Sequence, residues 1–243
     1  NFEKLLEFSD VRFRYANSGP WVLDGLTLDI PRGSRIGFVG STGSGKSTAM
    51  DLLMALLDPT EGEILVDHRP ITGDGQRAWQ RTIAHVPQTI YLADASIAEN
   101  IAFGVSSSAI DHDRVREAAE QAQIAEFVEG RPGGYASMVG ERGVRLSGGQ
   151  RQRIGIARAL YKRASVLIFD EATSALDNAT EAAVLSAIEN LDRELTILII
   201  AHRLTTLQDC DKIVLLDSGR IVAQGTYDEM DSKHLTPDRV SKT

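Results

Sequence analysis

The sequence predicts an α/β fold in which a mainly parallel sheet is interrupted by an inserted helical lobe. Three observations carry that expectation. Short apolar runs, "RIGFVG" (35–40), "SVLIFDE" (165–171) and "LTILIIAH" (195–202), read as strands buried on both faces, as parallel sheets require. From about Thr89 to Tyr161 such runs vanish and Ala-rich helical segments replace them. Ahead of both, "EFSDVRFRY" (7–15) and "WVLDGLTLDI" (21–30) read as strands of an N-terminal antiparallel β subdomain.

Each element follows from its residues. In the first strand Val11, Phe13 and Tyr15 alternate with polar neighbours, so all three fall on one half-buried face. "PRG" (31–33) turns the chain into the buried run 35–40, which ends in glycine. That run feeds a helix from about Lys46 to Leu57, stopped ahead of Pro59. "GEILVD" (62–67) and "RTIAHVPQ" (81–88) are further strands. The inserted lobe, 89–161, holds helical stretches at 96–103 and 113–130, then the loop "RPGGYASMVGERGV" (131–144).

A helix follows "RLSGG", with Ile154, Ala157 and Tyr161 forming its core-facing stripe. Arg151, Arg153 and Arg158 lie off that stripe, on a face that is either solvated or at an interface. The sheet then resumes with the strand 165–171, a helix near 177–192 and the strand 195–202. "KIVLLDSGRIVAQG" (212–225) is a hairpin turning at Ser218-Gly219. Thr226 and Glu229 make a capping box, so a last helix follows. The chain 1–243 thus reads as one domain, with a core of 1–88 and 162–243 around a helical subdomain at 89–161.

Composition bounds the function. With 243 residues, 42% hydrophobic and 25% charged, the chain buries an ordinary globular core. A formal net charge of −8 argues against general nucleic-acid binding, which needs a basic footprint. Cys210 is the only cysteine, so no intramolecular disulfide forms and a reducing compartment is expected. The longest apolar run, "LTILIIA" (195–201), is too short to span a bilayer as a helix. The chain starts at "NFEKLLEF" without Met or a signal-peptide pattern, so it is expected to be a piece of a longer protein.

Chemistry concentrates in a few short stretches. Gly40, Ser41, Thr42, Gly43, Ser44, Gly45, Lys46, Ser47 and Thr48 satisfy G-x-x-x-x-G-K-[ST] between a predicted strand and a predicted helix. Glycines let the backbone wrap so that its amides cradle phosphates. Lys46 neutralises the β/γ-phosphates and Ser47 holds Mg²⁺. "VLIFDE" places Asp170 and Glu171 beyond the carboxyl end of a strand, where open α/β sheets bind ligands. Asp170 is placed to reach Mg²⁺ through its water shell, and Glu171 to take a proton from an attacking water. A strand ending in Asp-Glu is by itself more often a solvated turn; the phosphate cradle in the same chain favours the site.

Other residues carry less local signal. His202 ends an apolar strand, where a structural role is commoner. Gln88 follows Pro87 without distinguishing chemistry, and Tyr15 reads locally as a core or surface residue. The helix behind Leu146, Ser147, Gly148, Gly149 and Gln150 begins with a good N-cap and two glycines, a second recipe for gripping an anion.

Together, Tyr15, "GSTGSGKST", Gln88, "LSGGQ", "VLIFDE", "SALD" and His202 give a chain that resembles, from about Leu6 to Met230, the nucleotide-binding domain of an ABC (ATP-binding cassette) transporter. The resemblance implies a P-loop NTPase (RecA-like) core and the cofactors ATP and Mg²⁺. It also implies roles: Tyr15 stacks on adenine, Gln88 senses the γ-phosphate and metal, and His202 holds the attacking water. Ser174, Ala175, Leu176 and Asp177 stand as the D-loop. Residues 146–150 act in trans: Ser147, Gly148 and Gly149 of one domain close over the γ-phosphate held by Gly40–Thr48 of another. The expected partners are therefore a second nucleotide-binding domain, as a homodimer or alternatively a heterodimer with a degenerate second chain, and a transmembrane domain fused upstream, with no nucleic acid.

"SIAENIAFG" and "GERG" look like exporters, which puts the chain at the cytoplasmic face of a plasma or inner membrane. Faint likenesses to exporters of lipid-linked glycans leave the cargo open. An importer ATPase subunit is the first alternative. A soluble relative acting on nucleic acid or ribosomes is disfavoured by the compact lobe and acidic charge, and a GTPase by the lack of N-K-x-D.

Overall fold

The computed structural model describes residues 2–170, 178–201 and 204–232. The chain divides into two compact units: Asn1–Ala84 with Ser165–Glu171 and Arg193–Thr243, and His85–Ala164 with Ala172–Asp192. Among the described residues no helix is long and apolar enough to cross a membrane.

Unit 1 is built on two sheets. The strands β1 (Leu5–Phe13), β2 (Leu23–Pro31), β4 (Glu61–Val66) and β5 (Arg69–Pro70) form an antiparallel sheet of order β2-β1-β4-β5. A second sheet runs β10-β9-β3-β8-β7-β6, from β3 (Arg35–Val39), β6 (Ile83–Val86), β7 (Val166–Asp170), β8 (Thr196–Ile200), β9 (Lys212–Asp217) and β10 (Arg220–Gly225). Strands β9, β3, β8 and β7 are parallel, and β10 returns antiparallel through the Ser218-Gly219 turn. The runs read as doubly buried are so: every residue of β3 and β8 is buried.

Between the sheets lies α1 (Lys46–Leu53), with Ala49, Met50, Leu52 and Leu53 packed against Phe8, Leu26, Phe38, Ile168, Leu198 and Leu216. Burying each of these side chains other than Ala49 contributes about 1.5–3 kcal/mol. This core anchors the loop that precedes α1.

Several boundaries differ from expectation. β1 ends at Phe13, so Val11 and Phe13 are buried while Tyr15, read on the same face, is 68% exposed. A register shift between Phe8 and Val11, with Asp10 at φ 46°, breaks the simple alternation. α1 stops at Leu53 rather than near Leu57, because Ala55 adopts φ 53° and cannot continue a right-handed helix. Residues 74–82 form a helix, α2 (Asp74–Thr82), that the sequence reading lacks. Only Trp79 is deeply buried among its described side chains, and its indole N–H donates to the Leu53 carbonyl at 2.6 Å. α8 (Tyr227–Ser232) begins at the expected box: the Glu229 carboxylate accepts from the Thr226 amide at 2.9 Å.

Unit 2 is helical, with α3 (Ile97–Ile101), α4 (His112–Gln121), α5 (Ala125–Glu129), α6 (Gly148–Tyr161) and α7 (Asn178–Glu189). Residues Ile154, Ala157 and Tyr161 of α6 are buried as the stripe requires. α3 starts at a complete capping box of Ser96 and Glu99. Its three hydrogen bonds, from the Ser96 hydroxyl, the Ser96 amide and the Ser107 hydroxyl, hold the Glu99 carboxyl down to about 2.

Candidate functional site

The loop after β3 is shaped by its glycines. Gly40 sits at φ 154°, and a Cβ there would lie 2.2 Å from the Leu216 carbonyl oxygen and 2.6 Å from Ser44 Oγ. Gly45, at φ 104°, would drive a Cβ to 2.7 Å from Leu23 and 2.9 Å from the Val22 carbonyl. Both positions exclude a side chain by space as well as by conformation. The loop is pinned from within, Ser44 N–H donating to the Ser41 carbonyl at 3.1 Å. It is pinned from the hairpin too, Gly219 N–H donating to the Ser44 carbonyl at 3.1 Å.

Lys46 opens α1 with its side chain turned back into this loop. Its ammonium is buried and donates to the carbonyls of Gly40 and Ser41, each at 2.9 Å, and to Ser44 Oγ at 3.4 Å. No acidic residue occupies the first turn of α1. A helix N-terminus, its dipole and a fixed ammonium therefore converge, the arrangement that favours an anion.

Beside the loop is a hollow of about 290 Å³ lined by Tyr15, Val22, Thr42, Gly43, Gly45, Lys46, Ser47 and Thr48. Tyr15 is held at one edge: its hydroxyl shares a hydrogen bond with Thr48 Oγ1 at 3.2 Å, and its ring meets Phe13 edge-on at 4.9 Å. A roomier hollow of about 430 Å³ is lined by Phe2, Val66, Ile71 and Trp79, among others; it lacks a wrapped anion loop, so size does not choose the site.

Strand register brings Asp170 to the same edge. Asp170 pairs with Ile200, and Ile200 with Phe38, two residues ahead of Gly40. Asp170 therefore stands at the carboxyl end of the sheet level with the start of the loop, and it is half-buried.

Gln88 and residues 146–150 belong to unit 2. Gln88 is exposed, and its carbonyl accepts from Gln152 Nε2 at 2.7 Å. Ser147 caps α6: its Oγ accepts from Gln150 N–H at 3.3 Å, while Gln150 Oε1 accepts from Ser147 N–H at 2.8 Å. The capping role of Gln150 was visible in S-x-x-Q, a spacing sequence reasoning passed over. Leu146 is buried and Ser147 exposed. Glu171, Ser174, Ala175, Leu176, Asp177 and His202 lie outside the described residues.

The arginines of α6 are not a solvated face. Arg151 donates to the Leu146 carbonyl at 2.7 Å, Arg153 to the Gln123 carbonyl at 2.9 Å, and Arg158 to the Asn100 and Tyr91 carbonyls at 2.9 and 3.0 Å. Burial lowers the pKa of Arg153 and Arg158. Their long stems pack while each fork satisfies backbone oxygens, which composition and periodicity do not reveal.

Comparison with known proteins agrees with this geometry. Residues 23–174 match the ABC transporter family model. An ATP-dependent lipid A-core flippase of Alkalilimnicola ehrlichii is 46% identical over 226 residues, 93% of this chain and 38% of that protein. The Beta-(1-->2)glucan export ATP-binding/permease protein NdvA of Rhizobium etli is 45% identical over 230 residues, 95% of this chain and 39% of that protein. The structure of a bacterial Atm1-family ABC exporter with ATP bound superposes with a TM-score of 0.85 at 40% identity, covering 95% of this chain and 40% of that one. The chain spans roughly two fifths of the length of these relatives. With the matched region covering more than half of its residues and the phosphate-cradle geometry intact, the chain belongs to the ABC transporter family, as a nucleotide-binding domain.

Proposed function

We propose that the chain binds and hydrolyses MgATP in a head-to-tail pair and thereby powers export by a longer, membrane-spanning protein. The observation that carries this reading is the buried ammonium of Lys46 inside a loop closed by Gly40 and Gly45, at the N-terminus of α1. In the free loop that ammonium rests on carbonyl oxygens. Arriving β- and γ-phosphate oxygens exchange places with them, gaining charge-assisted bonds. Backbone amides from Ser41 to Thr48 take the remaining oxygens, and the exposed ring of Tyr15 offers a stacking face to adenine.

Mg²⁺ fits the donors present in unit 1: the exposed Ser47 hydroxyl and the Asp170 carboxylate are hard oxygen ligands of the kind it takes, and the family resemblance assigns Gln88 to it as well. When bound, it supplies neutralisation of charge on the phosphates. Glu171 accepts the proton of the attacking water and His202 orients it. Residues 174–177 contribute the contact between the paired domains.

Ser147, Gly148 and Gly149 of a second copy complete the site over the γ-phosphate. ADP lacks the group they grip, so hydrolysis removes the contact that separates closed from open states. Similarity to a lipid A-core flippase and to a glucan exporter supports export, a transmembrane domain in the same polypeptide and a place at the cytoplasmic face of a membrane. Within this reading residues 89–161 are the helical subdomain of one domain spanning 1–243.

Titration calorimetry of the chain with MgATP tests the cradle. Lys46→Ala is expected to lose most of the affinity, and an unchanged isotherm refutes the assignment. Hydrolysis is expected to rise faster than linearly with protein concentration; strict linearity across the micromolar range contradicts the shared site.

A further inference from the structure

Three registered contacts strap the segment following Gln88 along one side of α6. At residue 152 the buried Gln152 donates Nε2 to the Gln88 carbonyl at 2.7 Å. At residue 155 the helix is glycine, and a Cβ there would lie 2.5 Å from Ile90 Cδ1, so Ile90 lies directly on the helix backbone. At residue 158 the guanidinium donates to the Tyr91 carbonyl at 3.0 Å and to the Asn100 carbonyl at 2.9 Å, with its Cζ over the Phe103 ring, 4.6 Å from the centroid. Positions 152, 155 and 158 are three apart, so the contacts rise along a single helix face. The N-terminus of that helix is the Ser147 cap.

Gln152 is unusual within this set. It is 5% exposed, and its Oε1 has no hydrogen-bond partner. Leaving a buried amide oxygen unsatisfied is destabilising. A core-filling role would be served better by Leu or Met at that position. What the amide supplies is its one donated bond, and that bond lands on the backbone of the residue assigned to sense the γ-phosphate.

We propose that Gln152 is a positioning residue that fixes Gln88 to the helix carrying Ser147, so that the two move as one piece. In the proposed head-to-tail pair Gln88 is assigned to the nucleotide of its own chain and Ser147 to that of the partner. The Gln152–Gln88 bond therefore ties occupancy of one site to placement of the hook over the other. This rests on the proposed roles of Gln88 and Ser147. The bond itself is independent of them.

A double-mutant cycle on the 243-residue chain tests it. Gln152→Met keeps the volume and removes the donor. It is expected to lower kcat for ATP roughly three- to tenfold, the rate equivalent of one neutral hydrogen bond, with KM within about twofold. In a Gln88→Ala background the same change is expected to do nothing further, because the side chain it positions is gone. Multiplicative losses in the double variant overturn the positioning role and leave the roles of Gln88 and of the cradle standing.

If Gln88→Ala alone leaves kcat unchanged, the sensing role fails and the inference falls with it, while calorimetric ATP affinity still reports on the cradle. Hydrogen exchange supplies a readout that does not need turnover. Amides of 88–92 are expected to exchange faster in Gln152→Met with α6 itself unaltered. Unchanged protection of 88–92 overturns the strap.

Discussion

Ser147→Asp separates the two jobs assigned to the start of α6. Asp caps a helix as well as Ser does, and the exposed position accepts its carboxylate. The Gln150 amide that now donates to Ser147 Oγ at 3.3 Å can donate to the carboxylate instead, and the 2.8 Å return bond from the backbone is untouched. A negative charge at a helix N-terminus adds about 0.3–1 kcal/mol, so the melting midpoint holds or rises by roughly 2–4 °C per kcal/mol for a domain of this size. Opposite a γ-phosphate the same charge is costly. Like unit charges about 4 Å apart repel by roughly 4 kcal/mol at an effective dielectric constant near 20, and screening that halves this leaves ~2 kcal/mol per site. Two sites per pair then weaken ATP-dependent association about a thousandfold. Light scattering with saturating MgATP in a Glu171→Gln background reads the pairing, and calorimetry checks that ATP affinity of the single chain is retained. A stable Ser147→Asp variant that still pairs at wild-type concentrations refutes the action of this residue in trans.

Other consequences are as specific. Tyr15→Ala is expected to weaken ATP binding by about 5- to 150-fold, the equivalent of 1–3 kcal/mol of base stacking, while kcat changes less; equal affinity by calorimetry removes the stacking role. Gly40→Ala places a methyl 2.2 Å from the Leu216 carbonyl, so the loop must rearrange and nucleotide affinity is lost; binding within twofold of wild type contradicts the loop geometry. Because the folded-state pKa of Glu99 is depressed to about 2 from an ordinary 4.5, its contribution is present above pH 4.5 and disappears as pH falls through 2. The difference in melting midpoint between wild type and Glu99→Gln is therefore expected to be constant near neutrality and to shrink in acid; a constant gap down to pH 2 refutes it.

The sheet and the phosphate loop were legible because strand burial and glycine requirements are local. "RIGFVG" and "LTILIIAH" are unbroken apolar runs, and G-x-x-x-x-G-K-S states its own backbone needs. The Thr226 capping box and the Ser147 N-cap are equally local; the boxes completed by Glu99 and Gln150 are local too, yet the sequence reading lacks them. What escaped depends on distant partners. α2 has one deeply buried side chain among those described, Trp79, whose indole finds a carbonyl 26 residues back, so the contact that seats the helix is not written in its own nine residues. α1 ends early through a single positive φ at Ala55, a residue with no preference for it. Tyr15 continues the alternation of Val11 and Phe13 on paper, yet the strand ends at Phe13 and leaves its ring exposed. The arginines of α6 read as polar surface because the carbonyls they satisfy lie 5 to 67 residues away. Tyr15, Gln88 and His202 acquired roles from resemblance to a family, since a lone tyrosine, glutamine or histidine carries no chemistry in its spacing.

Whether one nucleotide is held jointly by two chains is measured most directly by crosslinking. Thr42→Cys and Ser147→Cys in one chain put thiols on the cradle loop and on the hook, while the native Cys210 is buried with its thiol pushed up to about 12 and stays silent. With ATP and a mild oxidant, a covalent dimer is the expected product on a denaturing gel, absent with ADP. ATP turnover with no intermolecular crosslink would contradict the shared site.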